Sequence, residues 1–216
     1  MPRHLDRISH TAICIAAFVS YYSLFYLAFF IPGFMTLYRN GLAVPFLCTA
    51  LLLPCSLLLW RYYARHFEGL LPVGTLALRN LTLPLLALAV MLVMEKLFQQ
   101  PEPWLDSLRG YTGLTRWAWI LTACLVAPVS EEIIFRGFLL NASLGWGKAP
   151  QQVGIVLTSL LFAVIHMQYH APITFIQLFI FSAVLCVVRL GTGGLIVPMV
   201  LHALANTFSM GDIFLQ

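Results

Sequence analysis

Two adjacent glutamates with an arginine four positions on, Glu131, Glu132 and Arg136, stand inside a long apolar run. Two later apolar runs carry His166 and the pair His202 and Asn206. An ionisable side chain in such a run costs about 2.5–3.5 kcal/mol on insertion scales unless it is paired or wetted. In a helix, positions four apart share a face and adjacent positions diverge by about 100°. Glu132 and Arg136 can therefore pair and neutralise each other, which leaves Glu131 aimed at a different neighbour. His202 and Asn206 share one face as two hydrogen-bond donors, and Phe162 and His166 repeat the spacing elsewhere. An unpaired carboxylate can act as general base towards water, and a neighbouring imidazole can hold that water and pass protons. Paired donors are what a carbonyl oxygen needs as it becomes an oxyanion. The pattern reads as hydrolysis of a peptide bond, with Glu131 as base, His166 holding water, His202 and Asn206 receiving the oxyanion, and Glu132 and Arg136 ordering the helix.

A single membrane histidine or asparagine more often joins two helices than catalyses anything. Two adjacent carboxylates are harder to explain that way, because the second adds cost without improving packing. His10, His66 and His170 fall near the ends of apolar runs and take the structural reading, as do Glu95, Lys96 and Arg189, read as snorkelling or loop residues. The five cysteines (Cys14, Cys48, Cys55, Cys124, Cys186) are dispersed with no CxxC pair, so neither a disulfide nor a cysteine-ligated metal is expected.

The elements that must position these residues are set by lipid. Of 216 residues, 61% are hydrophobic and 9% charged, with a mean hydropathy of +0.90, a balance no soluble domain requires. A spanning helix takes roughly 20 apolar residues. The apolar runs 9–31, 41–60, 81–98, 117–140, 152–169, 173–188 and 195–213 predict an all-α polytopic membrane bundle of about seven helices, within a range of six to eight, forming a single domain over 1–216. The third run is the weakest, because Arg79, Asn80, Pro84, Glu95 and Lys96 crowd its ends. The stripes of Phe and Leu in the second and sixth runs read as lipid-facing or packing surface.

Arg3 and Arg7 precede a first run too long for an ordinary signal peptide, so an uncleaved span is expected. Placing the N-terminus in the cytoplasm puts Arg3, Arg7, Arg61, Arg65, Arg79, Lys148 and Arg189 inside and Arg39, Arg109 and Arg116 outside. The loop 99–116, with Glu102 and Asp106 among its cations, says little about topology. At about 1.5 Å rise per residue, Glu131 lies roughly 14 Å, His202 roughly 10 Å and His166 roughly 20 Å from the inner ends of their spans, so the three can meet. Pro128 before the glutamates, and Gly191, Gly193, Gly194 and Pro198 before His202, loosen the backbone where a cavity would form. The net charge of +4 is scattered, which excludes a nucleic-acid stripe.

Over about 117–207 the chain resembles the CAAX protease and bacteriocin-processing membrane proteins, which include the type II CAAX prenyl endopeptidases. Their motifs EExxxR, FxxxH and HxxxN occur here in order as Glu131-Glu132-Ile133-Ile134-Phe135-Arg136, Phe162-Ala163-Val164-Ile165-His166 and His202-Ala203-Leu204-Ala205-Asn206. The continuation Arg136-Gly137-Phe138-Leu139 also looks like the family. The resemblance implies a glutamate-dependent intramembrane endopeptidase without a cofactor, with the first glutamate and the FxxxH histidine activating water. The family does not fix the substrate; a compact chain without a large insertion points to a prokaryotic member in an inner membrane, with a membrane-anchored protein or peptide as the expected substrate. Cleavage of a C-terminal sorting signal is one candidate role.

Three other classes use the same residues. Glu131, His166 and His202 could hold Zn²⁺ as a membrane metalloprotease, although no HExxH is present. Buried Glu, Arg and His could serve a transporter's proton path, against which the lack of inverted repeats counts. A non-enzymatic scaffold or immunity protein would function without Glu131.

Overall fold

Lipid offers no hydrogen bonds to the backbone, so a chain of this composition must satisfy its N–H and C=O groups within helices. In the computed structural model, which describes residues 6–67, 69–77 and 80–215, every regular element among the described residues is helical. In chain order they are α1 (Arg7–Phe30), α2 (Phe34–Arg39), α3 (Ala43–His66), α4 (Thr82–Leu97), α5 (Pro103–Arg109), α6 (Gly113–Ser143), α7 (Lys148–Val164), α8 (Pro172–Thr192) and α9 (Ile196–Leu215). Each of the seven apolar runs becomes a helix. Of these, α1, α3, α6 and α8 are long and apolar enough to cross a membrane. The shorter α4 and α7 have 16 and 17 residues, and α9 is diluted by His202, Asn206 and Asp212. Arg3 and Arg79, which the charge asymmetry counts, lie outside the described residues.

The 31-residue α6 is the central element, packed against α1, α3, α7, α8 and α9. Its apolar side meets α1 and α3 through Cys14, Tyr21, Leu47, Leu52, Ile133, Ile134 and Phe138. A second cluster joins α4, α8 and α9 through Leu88, Leu185, Val188, Val197, Leu201 and Ala205. Outside these clusters the surface carries large exposed apolar residues such as Phe30, Leu83, Leu97 and Leu114, a surface suited to lipid. With lipid as the alternative contact, the helices are held together by close packing and interhelical hydrogen bonds.

Two of the departures from regular helix geometry share one cause. In α3 the π-helical turns Leu47–Leu52 come just before Pro54, and in α6 the π-helical turns Thr122–Val126 come just before Pro128. A proline ring clashes with the carbonyl four residues back and supplies no N–H, and widening the turn relieves that clash. A third widened stretch, Ile133–Leu139, carries Arg136.

The start of α9 is built by backbone alone. The N–H groups of Leu195 and Ile196 donate to the carbonyls of Pro72 (3.3 Å) and Val73 (2.8 Å), so the irregular stretch 72–77 satisfies donors that a helix start leaves open. This crossing needs glycine on both sides, because a Cβ on Gly194 would collide with Gly74 and a Cβ on Gly74 with Gly194. Arg189 in the last turn of α8, expected to snorkel, is instead only 5% exposed, because α8 runs on to Thr192 and carries it into the bundle.

Candidate active site

Four helices converge on the glutamate pair: α6 brings Glu131, Glu132 and Arg136, α7 brings Phe162, α8 brings Phe181 and Ser182, and α9 brings His202 and Asn206. Glu132 and Arg136 make the predicted one-turn ion pair, Nη1 to Oε1 at 2.8 Å, and both side chains are fully buried. The same Oε1 accepts from His202 Nδ1 at 2.8 Å. Arg136 then donates through Nη2 to the carbonyl (3.1 Å) and hydroxyl (2.8 Å) of Ser182. These contacts tie α6 to α8 and α9 through one guanidinium and one carboxylate, while Glu132 Oε2 and Arg136 Nε stay buried without a hydrogen-bond partner among the described residues.

Phe162 is the plate under this network. Its ring lies 4.9 Å below the Arg136 guanidinium carbon, 4.7 Å from the His166 ring, and edge-on to His202 at 5.8 Å. Phe135 packs on its other side and Phe181 closes on His202. The aromatic four residues before His166 thus faces both histidines and the arginine at once.

Glu131 is placed differently. Its side chain is 20% exposed, and its Oε2 stands 3.8 Å from His202 Nε2, beyond direct hydrogen bonding and in the range a bridging oxygen spans. Its carboxylate is close enough to act electrostatically on His166, Tyr21, Tyr22 and Cys48. The two neighbouring carboxylates therefore have separate surroundings: Glu132 is locked in a buried network, and Glu131 is partly exposed with His202 Nε2 at 3.8 Å. Chemically, that separation suits an oxygen held between a carboxylate and an imidazole nitrogen.

Residues 113–208 match the family of Type II CAAX prenyl endopeptidases described as Rce1-like. An uncharacterized 24.3 kDa protein of Escherichia coli is 30% identical over 182 residues, covering 81% of this chain and 83% of that one. The chain belongs to the Rce1-like CAAX protease family. Its members are CAAX-type intramembrane proteases, and the matched stretch contains the whole network just described. No solved structure matches the chain.

One expectation changes in this Rce1-like site. His166 does not sit inside a spanning helix: α7 ends at Val164, and His166 lies in the turn that follows, with Nδ1 against the Phe162 carbonyl at 2.7 Å. Asn206 and His202 each have one nitrogen already engaged within the protein. Asn206 Nδ2 donates to the Ala123 carbonyl at 2.8 Å, while His202 uses Nδ1 on Glu132. The suggested metal set of Glu131, His166 and His202 is not gathered as a cluster of potential ligands among the described residues.

Three participants have no counterpart in the motif reading. Ser182 and Phe181 lie in the sixth apolar run, taken as packing surface, yet they receive Arg136 and cover His202. Tyr21 of α1 donates to Ser130 Oγ at 3.2 Å, next to Glu131. The one serine of the sixth run, beside Thr174 and Gln177 as its other polar residues, was the available signal for Ser182; Tyr21 had none beyond its type.

Proposed function

We propose that this chain is a glutamate-dependent intramembrane endopeptidase that hydrolyses a peptide bond of a membrane-anchored protein or peptide. What carries this reading is the division of labour between the two adjacent carboxylates. Glu132 is consumed by Arg136 and His202, and Glu131 is left facing His202 Nε2 across 3.8 Å.

In the proposed reaction, Glu131 takes a proton from a water positioned with the help of His166, and the water oxygen bonds to the scissile carbonyl carbon. The carbonyl oxygen becomes an oxyanion. His202, when protonated on both nitrogens, offers Nε2–H to it while Nδ1–H stays on Glu132. The amide of Asn206 has a second N–H beyond the one on Ala123, and that is its available contribution. Collapse of the intermediate breaks the C–N bond, and the proton held by Glu131 passes to the leaving amine. Preorganised donors of this kind account for factors of about 10²–10³ in rate each.

The setting proposed is a prokaryotic inner membrane with the N-terminus in the cytoplasm, following the cation asymmetry. No cofactor enters the proposed steps. The test is cleavage of membrane-anchored candidate substrates in liposomes, comparing wild type with Glu131→Gln and His166→Ala at equal folded yield. Loss of cleavage in both variants supports the reading, and retention in both overturns it.

A further inference from the structure

The turn that carries His166 is fixed at its far end by a residue 68 positions away. Glu102, at the start of α5, accepts from the backbone N–H groups of His170 (Oε2, 2.8 Å) and Ala171 (Oε1, 3.0 Å) and from the Thr174 hydroxyl (Oε1, 2.8 Å). The carboxylate is 6% exposed. Its partners are the donors that open α8, whose first residue is Pro172. Two helix-start N–H groups aimed at one carboxylate make a strong cap by charge and by hydrogen bonding.

This matters because His166 is held at its near end alone by helix. Its N–H bonds to Ala163 O (3.1 Å) and its carbonyl accepts from Tyr169 N (3.1 Å), so it occupies a free turn between the last residues of α7 and residue 170. The ring is tied to α7 through Nδ1 and the Phe162 carbonyl at 2.7 Å, and the backbone that carries it takes its course from where residues 169–171 are pinned. Trp104, two residues after Glu102, packs edge-on against Tyr169 at 5.2 Å and tilts on Trp119 of α6 at 6.3 Å. The segment around α5 is thereby braced on α6 while it grips the turn.

We infer that Glu102 is a positioning residue for His166: its carboxylate sets the turn 165–171 and so the distance of the His166 ring from Glu131. The inference rests on the proteolytic reading for its consequence but not for its geometry. Glutamine is the informative replacement, because it keeps the shape yet turns one acceptor into an NH₂ group facing an N–H donor. Misplacing a catalytic group by about 1 Å can cost on the order of a hundredfold in rate.

The test uses the full chain in lipid nanodiscs with ¹³Cε1-labelled histidine, the signals of His166 and His202 being assigned by single replacement. Glu102→Gln is expected to move the His166 and His170 signals and leave that of His202 in place. On a cleaved substrate it should lower kcat by about ten- to a hundredfold with KM within about twofold. Thr174→Val removes one of the three donors without touching the turn's backbone and should give a smaller change in the same direction, so the inference stays open to test if the glutamine variant misfolds. An unmoved His166 signal in the folded variants overturns it. If wild type cuts nothing, it is the proteolytic reading that fails, and the ring signals still decide the positioning role.

Discussion

Asn206 donates its side-chain amide to the Ala123 carbonyl at 2.8 Å, and Pro128 is the reason that carbonyl is available. In the widened turn before Pro128 the N–H of Ala127 reaches back five residues to Thr122 O. The next carbonyl in that register, Ala123, would look to residue 128, which has no N–H. Asn206 supplies the missing donor from α9. One residue is therefore given two jobs in the proposed mechanism: it holds α9 to α6 at this level, and its second N–H is the one offered to substrate.

These jobs separate by a double replacement. Asn206→Ala should lower stability by about 1–3 kcal/mol for the orphaned carbonyl and lower kcat by about 10²-fold if the donor serves the oxyanion. In a Pro128→Ala background the new N–H can take the Ala123 carbonyl, so the stability cost of Asn206→Ala should shrink while the kcat cost remains. Thermal unfolding in detergent and cleavage kinetics on the four proteins check this. A stability cost equal in both backgrounds would show that Pro128 does not create the vacancy.

The adjacent glutamates should fail in opposite ways. Glu131→Gln removes a partly exposed carboxylate that lies 3.8 Å from His202 Nε2, beyond direct hydrogen bonding, so folding should be near wild type while kcat falls by about 10²–10⁴-fold. Arg136→Met abandons a fully buried carboxylate, and breaking such a pair costs about 3–5 kcal/mol. The double variant Glu132→Gln/Arg136→Met should recover much of that loss, since neither charge is then left unpaired. Unfolding temperatures of the two single variants in the reverse order would refute the assignment of roles.

How much of this was legible beforehand depends on the range over which each contact is encoded. The Glu132–Arg136 pair follows from helical spacing, and the structure contains it. The His202–Glu132 bond links residues 70 apart, and no local pattern specifies which of two adjacent carboxylates a distant histidine will take. Pro128 was readable as a source of free backbone, but the group that answers it was not, because a carbonyl has no side-chain signature. Pro172 disfavours helical geometry at Ala171, which is extended, so α8 starts afresh there, but the end of α7 seven residues earlier, at Val164, has no single residue that marks it. Glu102 sat in a loop that appeared uninformative, since its donors are mostly backbone N–H groups with no residue type to betray them.

A mechanism run by Glu131 also predicts indifference to metal removal. Prolonged dialysis against a chelator should leave cleavage within about twofold of the untreated enzyme, because no proposed step passes through a Lewis acid. Loss of activity restored by added zinc would instead mean that Glu131, His166 and His202 rearrange around an ion.

The Glu102 clamp sets an acid limit on the outer part of the site. Burial would push this carboxyl up, but the His170 and Ala171 N–H groups and the Thr174 hydroxyl outweigh it and hold it below its ordinary value of 4.5. The exposed His170 ring, 3.9 Å away, acts in the same direction when protonated. A carboxylate whose value is lowered on folding contributes stability that is fully present above its unfolded value and is lost as pH falls through the folded one. The difference in unfolding temperature between wild type and Glu102→Gln should accordingly hold steady from neutrality down to the ordinary carboxylate range and close below it. Amide exchange at His170 and Ala171 should accelerate in the wild type over the same interval, beyond its intrinsic pH dependence. In Glu102→Gln it should already be fast at neutral pH. A gap that persists undiminished well below that range would mean that the carboxylate's charge is not what holds the turn.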